Sequence, residues 1–120
     1  MQKRVLIVED EPIVALTLED ILEGLGCSVV GSASRLDHGL QLVRDSAPDL
    51  AILDVNLHGE KSYPIADLLA DNGVPYFFTT GYGSAGHPER HRRALTVAKP
   101  YSETVIADAI ATVSAAARIC

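Results

Sequence analysis

Val5-Leu6-Ile7-Val8 is a continuous apolar run that ends abruptly in acids. A strand buried on both faces reads this way, because neither face is left to water. Pro12 follows, and its fixed φ suits a first helical residue. Val14, Leu18, Ile21, Leu22 and Leu25 recur at helical spacing, and Gly24 and Gly26 mark the end. Ser28 to Ser32, around Val29-Val30, reads as a second strand. Ser34 is placed to cap a second helix with Leu36, Leu40, Val43 and Ala47 on one face, closed by Pro48. Leu50-Ala51-Ile52-Leu53 is a third apolar run, again ending in an acid, Asp54. A shorter helix holds Ile65, Leu68 and Leu69 and closes at Asn72-Gly73. Tyr76-Phe77-Phe78 reads as strand four and Leu95 to Ala98 as strand five. Ser102 caps a last helix with Val105, Ile106, Ala109, Ile110 and Val113 inward.

Five strands separated by helices predict an α/β fold, with a doubly wound five-stranded parallel sheet and five helices. The segment from Gly81 to Arg93 carries glycines, Pro88 and charges, so the fourth helix is expected to be short or mobile. Composition narrows the class. At 120 residues the chain is read as one domain over 1–120, and 48% apolar against 22% charged residues excludes disorder. Ten basic against sixteen acidic residues give a net charge of −6, which repels phosphate backbones and argues against direct nucleic-acid binding. No apolar run approaches the roughly 20 residues of a membrane span. Met1-Gln2-Lys3-Arg4 leads into the first strand without a small-residue cleavage site, so no signal peptide is expected and the setting is cytoplasmic. Cys27 and Cys120 are read as free thiols.

In an open parallel sheet, sites form beyond the carboxyl ends of the strands, where strand order reverses. With the order 2-1-3-4-5, strands one and three are neighbours at that reversal. Their ends carry Glu9-Asp10 and Asp54, while strand four delivers Thr80 and strand five Lys99. Two carboxylates about 4 Å apart repel by roughly 4 kcal/mol at an effective dielectric near 20. A hard divalent cation, Mg²⁺, would balance the cluster and leave Asp54 ionised as a nucleophile. Thr80 and Lys99 would meet incoming phosphoryl oxygens. These parts suit phosphoryl transfer onto a carboxylate and not acyl transfer, because no Ser–His or Cys–His pair sits at strand ends.

Val8-Glu9-Asp10-Glu11-Pro12, Leu53-Asp54, Thr80-Gly81 and Lys99-Pro100, in that order and covering the chain, resemble the receiver domain of bacterial two-component response regulators. The resemblance implies a flavodoxin-like fold and a phosphorelay phosphoprotein rather than a turnover enzyme. Asp54 would take phosphate from the phosphohistidine of a histidine kinase or phosphotransfer protein, giving an aspartyl phosphate. Asp10 would bind Mg²⁺ directly, Glu9 through water and Asn56 through its backbone carbonyl. Thr80 would be the switch hydroxyl and Lys99 the phosphate-pairing lysine. A separate downstream protein would be met through the face around helix four, strand five and helix five, since no output domain follows. His58 stands where the family usually has proline, implying a looser loop. Thr96 stands where many members carry a switch aromatic. Pro75 to Tyr82 resembles the Pro-Phe-x-Phe-Ala-Thr-Gly-Tyr stretch of a subgroup of single-domain regulators lacking that aromatic.

Blander readings stand beside these. The acids at 9 to 11 could serve only the positive end of a helix. Gly81-Tyr82-Gly83-Ser84-Ala85-Gly86 matches a dinucleotide loop, but only one strand remains after it. His87 and His91 lack the glutamate of a zinc motif, and Arg90, Arg92 and Arg93 read as a solvated face. Tyr82 and Tyr101 read as packing residues. A haloacid-dehalogenase-like phosphohydrolase shares the aspartate, threonine, lysine and Mg²⁺, but Asp54-Val55-Asn56 lacks its second aspartate. A degenerate receiver acting only as a protein-binding module is the remaining alternative.

Overall fold

The computed structural model describes residues 3–81, 87–99 and 101–119. Their elements run β1 (Arg4–Val8), α1 (Pro12–Gly24), β2 (Ser28–Ala33), α2 (Leu36–Ser46), β3 (Leu50–Asp54), β4 (Asn56–Leu57), β5 (Glu60–Lys61), α3 (Tyr63–Asp71), β6 (Tyr76–Thr80), a 3-10 turn (Glu89–His91), β7 (Thr96–Ala98) and α4 (Glu103–Ile119). The main sheet has the order β2-β1-β3-β6-β7 and every pairing in it is parallel, so the expected five-stranded arrangement holds.

The apolar strands serve two cores at once, because successive side chains point to opposite faces. Val5, Ile7, Leu50, Ile52 and Phe77 face Leu18 and Leu22 of α1 and Ile106, Ala109 and Ile110 of α4. Leu6, Val8, Ala51, Leu53 and Phe78 face Val43 of α2 and Ile65, Ala66 and Leu69 of α3. At the amino end of the sheet, the Arg4 guanidinium donates to the carbonyls of Ala47 (2.8 Å) and Ser46 (2.6 Å). It thereby satisfies the last carbonyls of α2 and meets the negative end of its dipole.

Several local expectations are corrected. Four α-helices are present among the described residues; where a fourth of five was expected, there is a single 3-10 turn, because Pro88 and the charges around it offer no apolar face. Ser34 does not cap α2, whose N-cap is Arg35 without a side-chain bond. Ala47 lies outside α2 in a left-handed conformation (φ 44°) and is exposed. Ser102 does cap the last helix, accepting from the Val105 N–H at 3.3 Å, but Val105 itself points outward. The loop after Asp54 is not loose. It is an antiparallel hairpin, β4 paired with β5, whose two turn residues His58 and Gly59 both have positive φ (51° and 89°). That conformation forbids proline, which explains the departure from the family's usual residue. Tyr82, Gly83, Gly86, Pro100 and Cys120 lie outside the described residues. Cys27 is a free, half-buried thiol.

Gly39 is a point of close packing between α2 and its neighbours. A Cβ there would meet Ile65 Cδ1 at 2.5 Å and Val8 Cγ2 at 3.6 Å, and Ile65 is fully buried. Alanine would gain about 1 kcal/mol of helix propensity but overpack a closed core at a cost of about 1–3 kcal/mol. Gly39→Ala is therefore expected to lower the urea-unfolding free energy by about 1 kcal/mol. Adding Ile65→Val, which removes the offending methyl, should recover part of that loss. A Gly39→Ala protein more stable than its parent would refute this account.

Candidate functional site

Parallel strands place all their carboxyl ends on one edge, and five of the residues singled out in the sequence arrive there. Glu9 continues the ladder beyond β1, its N–H donating to the Ala33 carbonyl at 2.9 Å. Asp10 follows it. Asp54 is the last residue of β3, Thr80 the last of β6, and Lys99 follows β7. Ligand oxygens of Glu9, Asp10 and Asp54 all lie within 4.8 Å of one another. Glu9 is only 3% exposed and Asp54 only 6%, and Thr80 is buried beside them. Lys99 reaches in from the side. Its Nζ lies 2.7 Å from Glu9 Oε1, 3.0 Å from Asp54 Oδ2 and 3.6 Å from Glu11 Oε1. The Lys99 N–H donates to the Thr80 carbonyl at 2.9 Å, so the lysine and the threonine share one backbone link.

The electrostatics follow from taking these charges out of water. Burial, then the neighbouring Asp54 carboxyl, pushes Glu9 up to about 8, against the pull of Lys99. Lys99 is held above the usual lysine range: burial opposes its charge, but its contacts with Glu9 and Asp54 more than compensate. Asp10 is only partly buried. Burial, the largest single influence, raises it, but the His58 N–H together with hydrogen bonds involving Asp54 and Glu9 brings the net shift downward. One ammonium cannot balance three carboxylates. Glu9 Oε1 is met by Lys99 Nζ at 2.7 Å, and the same ammonium also serves Asp54. Three carboxylates gathered within 4.8 Å around one ammonium are a donor set for a hard, oxygen-seeking cation.

The hairpin after Asp54 holds the cluster in place. The Asn56 N–H donates to Asp54 Oδ1 at 3.2 Å, and the His58 N–H donates to Asp10 Oδ2 at 3.0 Å. Asn56, for which the resemblance implied a role through its carbonyl, thus meets Asp54 through its amide. Neither Glu11 nor the His58 amide was identified from the sequence. Glu11 is exposed, and only its position next to the acidic pair hints at its contact with Lys99. The His58 amide depends on a turn that no local pattern announced.

A second group of side chains lies between α3 and β7. Tyr63 OH and His87 Nδ1 are 2.7 Å apart, and His87 Nε2 is 2.7 Å from Thr96 Oγ1. His91, buried, lies 2.7 Å from Asp67 Oδ1 through Nε2 and 3.1 Å from Tyr76 OH through Nδ1. Arg90, expected to be a solvated residue, instead grips both Asp67 oxygens at 2.9 and 3.0 Å, while Arg92 and Arg93 are exposed as expected. Among the described residues the one cluster of three ligating side chains is Glu9, Asp10 and Asp54, so the two histidines form no metal site with a third group there. Tyr101 packs against the α1 and α4 core, and burial with the charge of Glu9 pushes its phenol up to about 12.

Comparison with known proteins agrees with the fold. The solution structure of SdrG from Sphingomonas melonis Fr1 superposes with a TM-score of 0.84 at 41% identity, over 93% of this chain and 96% of that one. A BeF3-activated conformation of SdrG, from Pseudomonas melonis Fr1, gives 0.78 at the same identity over 90% and 92%. The phyllosphere-induced regulator PhyR of Methylorubrum extorquens is 35% identical over 105 residues, which are 84% of this chain and 39% of PhyR. The chain therefore spans well under two thirds of the length of that relative. Among the described residues no helix is long and apolar enough to cross a membrane. The sequence profile of the response regulator receiver domain matches residues 5–111, nearly the whole length, and the chain belongs to that family of two-component signalling domains, which relay signals rather than turn over substrate.

Proposed function

We propose that this receiver accepts a phosphoryl group on Asp54 from the phosphohistidine of a histidine kinase or phosphotransfer protein, with Mg²⁺ held by the acidic cluster. The observation that carries the reading is a nearly buried Asp54 set within 4.8 Å of two further carboxylates and 3.0 Å from Lys99. An Asp54 oxygen forms the new O–P bond as the N–P bond breaks, and the electron pair returns to the imidazole nitrogen. Asp10 and Asp54 would hold the ion directly, Glu9 through water and Asn56 through its carbonyl. Bound there, Mg²⁺ neutralises phosphoryl oxygens and lowers the repulsion that an incoming anion meets.

The chain's own groups do the rest. Lys99 leaves its carboxylate partners to pair with a phosphoryl oxygen, and the Thr80 hydroxyl donates to another. Phosphorylation replaces a single negative charge with about two, and this difference is what the strand ends sense. Ile13 (79% exposed) and Leu16 (60%) lie on the first turns of α1, directly after the acidic pair. They offer the phosphodonor an apolar patch next to the reacting carboxylate. The output goes to a separate protein. PhyR of Bartonella quintana, 26% identical, is described as an anti-anti-sigma factor, which supports protein binding as the mode of action. Work in the cytoplasm follows from the kinase partner.

Incubation with a small phosphodonor and Mg²⁺ should add one phosphoryl group per chain by intact-protein mass spectrometry, and Asp54→Asn should abolish it. Undiminished labelling of Asp54→Asn would remove the assignment. Repeated turnover of small phosphate esters would instead favour a hydrolase.

A second prediction concerns the turn. His58→Pro removes the N–H that fixes Asp10 and cannot adopt φ 51°. It is expected to weaken Mg²⁺ binding about tenfold in a calorimetric titration, as loss of a supporting hydrogen bond does at metal sites. His58→Asn keeps the N–H and tolerates the conformation, so it should bind like the parent.

A further inference from the structure

The imidazole of His87 joins two elements that have no other polar side-chain contact with each other among the described residues. It bonds Tyr63 at the start of α3 on one side and Thr96 at the start of β7 on the other, both at 2.7 Å. It also lies tilted against Phe78 of β6, with ring centroids 4.9 Å apart, and edge-on to Tyr63. The hydrogens can be assigned by following the chain of donors. The Thr96 hydroxyl points to the Ala94 carbonyl at a long 3.5 Å, so its oxygen is left to accept from His87. His87 then carries its proton on Nε2, and Nδ1 accepts from the Tyr63 hydroxyl. Burial and the nearby His91 hold the ring neutral, below the usual histidine range, in agreement with this assignment.

Thr96 at one end of this relay, and Phe78 against its ring, lie close along the chain to the groups that phosphorylation would move. Thr96 is three residues before Lys99, on the strand whose next residues pair with Thr79 and Thr80. Phe78 is two residues before Thr80 and pairs with Thr96 in the sheet. The neighbouring His91 is fastened differently, by the Asp67 carboxylate, which Arg90 grips as well. Hydrogen bonds to a charged group are roughly twice as strong as neutral ones. Of the two histidines, His87 is therefore the one held by releasable contacts, and His91 with Asp67 is the fixed anchor.

We propose that the Tyr63–His87–Thr96 relay is a latch that holds the unphosphorylated conformation, and that switching at Asp54 breaks it. The latch rests on the phosphoacceptor reading. When Lys99 turns towards a phosphoryl group and Thr80 closes on it, the strand ends shift, Thr96 Oγ1 leaves His87 Nε2, and the ring gives up its place against Phe78. The outer end of β7 and the start of α3 are then uncoupled, and the signal appears on that side of the molecule.

Long-range ¹H–¹⁵N spectra of the histidine rings, recorded on the full chain before and after Mg²⁺ and beryllium fluoride, test the latch. Before addition, His87 should show the Nε2-protonated tautomer. After it, the two His87 ring nitrogens should move towards the averaged shifts of a free imidazole, while those of His91 stay. If the Asp54, Thr80 and Lys99 amides shift but the His87 ring does not, the latch is wrong and the phosphoacceptor reading survives. If those amides stay too, the reading fails and takes the latch with it.

Thr96→Val and Tyr63→Phe each cut one end of the relay with little change of volume. Each removes a neutral hydrogen bond present in one state only, and should lower the beryllium fluoride concentration at half-saturation by about threefold to tenfold. Two variants at separate elements guard against a folding defect in either one. An unchanged or raised midpoint in whichever variant keeps the parent's amide spectrum would overturn the proposal.

Discussion

A single ammonium shared among carboxylates organises the working end of this molecule. Lys99 lies within 3.0 Å of both Glu9 and Asp54, yet its single charge leaves the group of three carboxylates anionic. Such an arrangement is costly to fold, because each charge loses hydration that one partner restores only in part. The two apolar cores on either side of the sheet supply the stability that tolerates it. The unbalanced charge is what the proposed reading uses, as affinity for a cation and for a phosphoryl group brought in with it.

The backbone makes that charge positional. Glu9 and Asp10 share a strand exit, Asp54 ends the neighbouring strand, and Lys99 is tied through its amide to Thr80. Two amides of the hairpin hold Asp54 and Asp10 by their oxygens. Fixed dipoles of this kind hold the carboxylates in place without rearrangement of their own.

The sheet was legible because its central strands are apolar throughout: Val5 to Val8 and Leu50 to Leu53 leave no doubt about burial on two faces. The acids that interrupt those runs marked the site for the same reason. What was not legible depended on geometry rather than composition. The hairpin at Asn56–Lys61 has two residues per strand, too few to show alternation, and its left-handed His58 is permitted rather than required by the residue type. The His87 relay was hidden because a histidine with two hydroxyl partners distant in sequence looks, in one dimension, like any polar loop residue. Val105 looked inward by spacing and points outward, since α4 begins at Glu103 and Val105 falls within its exposed first turn.

The alternation that lets one strand feed both cores also fixes which acid faces which neighbour. Val5 and Ile7 look towards α1 and α4, Leu6 and Val8 towards α2 and α3, and Glu9 continues the first series towards Lys99. Because Arg4 clamps the other end of β1 onto the last carbonyls of α2, the strand cannot slide to correct an error. One residue inserted between Arg4 and Glu9 would exchange the parity of the tandem acids. The protein would keep an acidic tip of the same composition, yet the carboxylate presented to the lysine would be the wrong one, and a signal sent to it would find no listener.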